Sequence, residues 1–172
     1  GPSATSAKAK FDAAIAKYGP MCGATFVANA EARRDVILAD QSNPDSFDAV
    51  NGQFFCDDTS ALTIAEPGGD DAGWIPADAN GYKCSVTIAK TWLKFRLAIR
   101  KCHTGAASDA FSGDPFDDEP CEQKARARYD AVGAKLVAYG ICPACVTSGA
   151  PALGDDANAD LDAQLVEIYP CP

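Results

Sequence analysis

"CSVTIAKTWLKFRLAIRKCH" (Cys84–His103) decides the fold. Ile88, Trp92, Phe95, Ile99 and Cys102 recur at alternating four- and three-residue steps, the spacing that lays one stripe along an α-helix. Leu93 and Leu97 widen the stripe, as a core-facing helix requires. Ser85 is placed to cap its start, and the basic residues near its end suit the negative pole of the helix dipole. A second helix is expected from Pro120 to about Tyr139, stopped by Gly140, with Cys121, Ala125, Tyr129, Val132, Leu136 and Tyr139 on its apolar side. Between them, "TGAASDAFSGDPFDDEP" (Thr104–Pro120) reads as a turn-rich acidic connection.

Cysteines bracket both helices. The chain of 172 residues holds 8 of them: Cys22, Cys56, Cys84, Cys102, Cys121, Cys142, Cys145 and Cys171. Their spacing does not repeat as paired zinc-binding C-x-x-C units, and a single histidine cannot complete a zinc finger. A disulfide framework made in an oxidising compartment is the better reading, because alanine supplies much of the apolar content and buries little area. Two antiparallel helices of similar length bring Cys102 toward Cys121 and Cys84 toward Cys142. Eight cysteines permit roughly a hundred pairings, so this is a geometric preference, with Cys145 as the substitute partner for Cys84.

The fold expected is mainly α: disulfide-stapled antiparallel helical hairpins in a bundle, with one long acidic irregular loop. It is read as a single domain over 1–172. Within it, 1–40 forms a helical unit echoing 121–142, 41–83 an acidic loop region and 84–146 a helical hairpin core. The echo is "AKAKFDAAIAK" (Ala7–Lys17) on "ARARYDAVGAK" (Ala125–Lys135), each followed by Tyr-Gly and then a cysteine. Further helices are expected near Ala24–Ala39 and Asn158–Tyr169, and a short extended segment at Ala61–Ile64. Charge is segregated: 41–82 carries acids and no base, 83–103 bases and no acid, and the two blocks are expected to neutralise each other within the fold.

The blocks "WIPADANGYKC", "AIRKCH", "FSGDPFDDEPCE" and "RYDAVGAKLVAYGICPAC" resemble a group of uncharacterised, secreted, cysteine-rich proteins of deltaproteobacteria and myxobacteria. The shared pattern is K-C-H, then F-D-x-E-x-C-E, then C-P-x-C, over roughly residues 74–146. Some members place a further cysteine where this chain has Ala98. The resemblance implies secretion, disulfides and a bacterial cell-surface setting, and no mechanism.

Net charge of −9 argues against binding nucleic acid. No apolar run reaches the roughly 20 residues that span a bilayer. Gly1-Pro2-Ser3 reads as the scar of a cleaved tag, with a signal peptide expected to have been removed. Localisation is therefore expected to be secreted, periplasmic or at the outer cell surface.

Candidate chemistry is sparse. Covalent haem attachment needs C-x-x-C-H; here Ile99 stands at the first cysteine, leaving a single thioether at Cys102 with His103 and Met21 as axial ligands. Against haem, Cys102 is needed as a half-cystine and His103 suits a helix-end cap. Cys142-Pro-Ala-Cys145 has redox-dithiol spacing but lacks a helix N-terminus to stabilise a thiolate, since "VTSGAPALG" (Val146–Gly154) reads as non-helical. Asp156, Asn158, Asp160, Asp162 and Glu167 match calcium-loop positions, yet Leu161 replaces the turn glycine and a helix fits better. Asp70, Asp71, Asp78 and Asn80 on glycine-rich backbone are candidate calcium ligands, and Trp74 a candidate ligand platform.

The function expected is a secreted, non-catalytic binding or cell-surface structural component. Its partners would be a cell-surface protein, a small-molecule ligand or a second copy. The alternatives are a haem- or metal-binding electron-transfer protein and an extracellular hydrolase using paired carboxylates, whose spacing the sequence does not give.

Overall fold

The computed structural model describes residues 6–60, 62–64 and 72–168, with side chains as far as Gln164. Ser6 accepts a hydrogen bond from the Ala9 amide at 3.2 Å and starts α1, Ala7–Cys22. α1 continues through Pro20 and turns at Gly23 into α2, Ala24–Ile37, a helical hairpin. Here the echo with α5 ends, because Gly19 stays inside α1 whereas Gly140 terminates α5.

The acidic region is less irregular than expected. Ser46 accepts from the Ala49 amide at 3.0 Å and caps a short helix, α3, Phe47–Phe54. Beyond it the chain is pinned by backbone hydrogen bonds, Trp74 N to Phe55 O and Ile75 N to Leu62 O, at 2.6 and 2.7 Å. Thr63 and Trp74 form an isolated bridge, so only a remnant of the expected extended segment is present; Ala61 lies outside the described residues.

α4 spans Ala79–Ser112, starting earlier and ending later than its apolar stripe. Asp78 supplies the cap, accepting from the amides of Asn80 and Gly81 at 2.8 and 2.9 Å. Ser85 is instead fully buried inside the helix. Nothing after His103 breaks α4 until Gly113, whose left-handed φ of 79° ends it. α5 spans Glu119–Tyr139, with Pro120 in its first turn.

The largest departure is α6, Ala144–Ile168, which includes the stretch read as non-helical and contains Pro151. Proline removes one helical hydrogen bond, and α5 donates to that turn from outside. Tyr129 Oη donates to Ala150 O at 2.7 Å, and Arg126 Nη2 to Pro151 O at 3.3 Å. Gly154 permits the close approach, since a Cβ there would stand 2.9 Å from Tyr129 Cε1. Burial pushes the Tyr129 phenol up to about 12.

The core lies between α4, α5 and α6, with α3 over one end. Ile88, Trp92, Phe95 and Ile99 are buried, whereas Leu93 and Leu97 are exposed and do not join the stripe. Phe95 stacks on Tyr129 with ring centroids 5.2 Å apart. Cys84–Cys142 and Cys102–Cys121 staple the two ends of the α4–α5 hairpin, and Cys56–Cys145 ties the end of α3 to α6. Among the described residues Cys22 is the one free cysteine; Cys171 lies outside them.

α2 reaches the body through Asp160, which takes Arg33 Nη2 and Arg96 Nη2 at 2.6 Å each. Arg96 thus turns to α6 rather than to the acidic block. Burial alone would raise the Asp160 carboxyl, but the Arg96 hydrogen bond and the charges of Arg33 and Arg96 outweigh it and hold it below the usual range. A carboxyl depressed in the folded state stabilises at pH above its unfolded pKa, and that stability is lost as pH falls through the folded value. Asp160→Asn is expected to cost on the order of 2 kcal/mol at neutral pH. The deficit should shrink on acidification below about pH 4, as urea unfolding at several pH values would report.

Candidate metal centre

The Cys102–Cys121 staple orders a second pair of side chains. His103 follows Cys102 on α4, Glu122 follows Cys121 on α5, and the bridged Cα atoms are 5.7 Å apart. Both following residues turn inward and are only 6 % exposed. His103 Nε2 and Glu122 Oε1 share a hydrogen bond of 2.5 Å. α6 brings Asp162 Oδ1 to 3.4 Å from the same nitrogen, and Asp118, one turn before Glu122, brings Oδ2 to 3.9 Å.

Three carboxylate oxygens, from α5, its N-cap position and α6, therefore converge on one imidazole nitrogen of α4. The donor atoms of His103, Glu122 and Asp162 all lie within 4.8 Å of one another. Ligands held about 2.0–2.1 Å from a tetrahedral zinc ion stand roughly 3.3 Å apart. The His103–Asp162 separation already matches, and the His103–Glu122 contact has to widen by less than about 1 Å. Asn158 Nδ2 donates to Asp162 Oδ2 at 3.0 Å, orienting that carboxylate with Oδ1 toward the cluster.

The charge balance also favours a cation. Three carboxylates surround one histidine, and among the described residues no lysine or arginine forms an ion pair with any of them. Burial, with the charges of Asp162 and Asp118, pushes the Glu122 carboxyl above its ordinary range; the His103 hydrogen bond works the other way. Asp162 is about half exposed, giving an ion a route in from solvent.

Other sequence candidates end up elsewhere. The haem arrangement is overturned: Cys102 Sγ is bonded to Cys121, and Met21 is 82 % exposed at the end of α1. His103 lies well inside α4 and faces Glu122, so it does not cap the helix end. Cys142 and Cys145 bond to different partners and form no dithiol. Of the calcium candidates, Asp78 is committed as the α4 cap and Asn80 sits in its first turn; Asp70 and Asp71 lie outside the described residues. Trp74 is half-buried and held through its backbone. The stretch matching a calcium loop is helical up to Ile168, and it contributes Asp162 to the cluster.

Sequence reading missed Glu122, Asp118 and Asp162 as partners of His103. One signal was present: each half of the staple is followed by a chelating side chain, Cys102-His103 and Cys121-Glu122. Comparison with protein-family models, curated proteins and solved structures gave no match.

Proposed function

We propose that this chain is a non-catalytic binding protein of the extracytoplasmic space, secreted or held at the cell surface, that holds one divalent transition-metal ion between α4, α5 and α6. The observation that carries the metal is the convergence of His103 Nε2 with the carboxylates of Glu122, Asp162 and Asp118, with no basic side chain among the described residues paired to them. An imidazole among carboxylates suits zinc and its neighbours better than calcium, which takes oxygen ligands. His103, Glu122 and Asp162 supply three donors within mutual reach of one ion, and Asp118, 3.9 Å from His103 Nε2, stands beside them.

Three disulfides support the compartment, because such bridges persist where the surroundings are oxidising. No helix among the described residues is long and apolar enough to cross a membrane. The resemblance to secreted cysteine-rich bacterial proteins supports the same setting.

Because the carboxylate ligands bind metal in their ionised form, affinity should fall as the pH is lowered. Chelator-stripped protein titrated with zinc by calorimetry is expected to bind one equivalent. Asp162→Asn, on the exposed rim, should weaken binding by about 100-fold while leaving the far-ultraviolet circular dichroism unchanged. Zinc at about 100 times its dissociation constant should add roughly 2.7 kcal/mol to wild-type stability. A melting temperature indifferent to zinc, in wild type and variant alike, would rule out this centre.

A further inference from the structure

An apolar groove of about 560 Å³ runs along the α1–α2 hairpin, walled by Phe11, Ile15, Tyr18 and Phe26. Cys22 lines it, as does Gln164 of α6. The three observed bridges use six cysteines, leaving Cys22 exposed and unpaired among the described residues and Cys171 as the eighth in the chain.

Helix register shows how these two stand. Ser46 Oγ donates to Asp40 O at 2.9 Å, tying the exit of α2 to the start of α3. There, Phe47 meets the Trp92 ring edge-on at 6.4 Å, and Trp92 Nε1 donates to Leu153 O at 3.1 Å. Asp40 therefore sits near the level of Leu153. Seven residues back from Asp40 is Arg33, seven on from Leu153 is Asp160, and these two are paired. One turn further along each helix, Asn29 and Gln164 line the same groove. α2 and α6 thus run antiparallel in matched register. Cys22 lies eleven residues before Arg33 and Cys171 eleven after Asp160. Were the 1.5 Å rise of α6 continued, Cys171 would fall about 16 Å beyond Asp160, toward the end of the hairpin where α1 closes with Cys22 and α2 begins at Ala24. α6 is helical through Ile168, three residues short of Cys171.

We propose that Cys22 and Cys171 form a fourth disulfide, and that the segment 165–172 is the resident occupant of the α1–α2 groove. Leu165, Val166, Ile168 and Tyr169 give that segment the apolar character that the walls require. In forming the bond, two thiols lose two protons and two electrons. A disulfide-bearing thiol oxidase of the exporting compartment accepts them by thiol–disulfide exchange and leaves as a dithiol. The inference is independent of the metal centre, which shares no residue with it.

The test is alkylation of the full chain with iodoacetamide in denaturant without reductant, followed by non-reducing proteolysis and mass spectrometry. The expected result is no alkylation and a linked peptide pair carrying Cys22 and Cys171 in monomeric protein. Carbamidomethyl groups on both cysteines would overturn the bond. A Cys22–Cys22 link between two chains would overturn it too and make a second copy the occupant. Cys171→Ser should leave the other three bridges intact and expose Cys22 to alkylation. It should also raise binding of the apolar dye bis-ANS severalfold as the groove opens; unchanged dye binding would overturn the segment as occupant.

Discussion

Replacing Cys84 and Cys142 together by alanine is expected to lower the unfolding free energy by about 4 kcal/mol, a large part of what a domain of this size has in reserve. The bridge closes 58 residues, and Cys84 is fully buried at the start of α4. The other two bridges shorten the loop that it effectively closes, leaving a chain-entropy contribution of about 3 kcal/mol. Loss of the packed sulfurs supplies the rest. Urea unfolding of the double variant should show the midpoint drop with helix content retained, because Cys102–Cys121 still closes the other end of the hairpin. A loss below about 1 kcal/mol would mean that this staple is incidental to stability.

Trp92→Ala should cost a comparable amount, about 4 kcal/mol. The indole is 4 % exposed and stands edge-on to Phe54 at 5.6 Å and to Phe47 at 6.4 Å. Its Nε1 donates to Leu153 O, and the Arg96 guanidinium lies 4.9 Å from the ring centroid. One side chain therefore joins α3, α4 and α6, and truncation loosens three contacts at once. Trp92→Phe keeps an aromatic edge but not the donor, and should recover more than half of the loss. Equal destabilisation by both variants, measured by chemical denaturation, would place the energy in the hydrogen bond instead of in packing.

What the sequence made legible was whatever a single helix or a pair of covalent neighbours expresses locally. The stripe from Ile88 to Cys102 predicted α4, and two brackets of cysteines predicted the staples that the structure contains. Helix ends were harder to read: nothing local shows that α4 continues through Thr104 and Gly105 until Gly113 stops it. α6 passes Pro151 where Tyr129 and Arg126, outside that helix, donate to the adjoining carbonyls. Leu93 and Leu97 looked like core because periodicity does not say how wide the neighbouring helices are. The cluster around His103 was hidden for the same reason. Its carboxylates come from α5 and α6, and only packing sets them beside α4.

The placement of the bridges divides the molecule energetically. All three observed staples lie between α3 and the start of α6, and none touches the α1–α2 pair. α1 packs on α2, α2 packs on α6, and among the described residues of both helices only Gly19 is fully buried. Without the proposed Cys22–Cys171 bond, such an arm would open on its own, at a free energy well below that of global unfolding. With Cys22 and Cys171 reduced, the protein should therefore behave as two cooperative units, a locked body and an arm held by the Arg33–Asp160 bolt; the proposed fourth bridge would fasten the two into one.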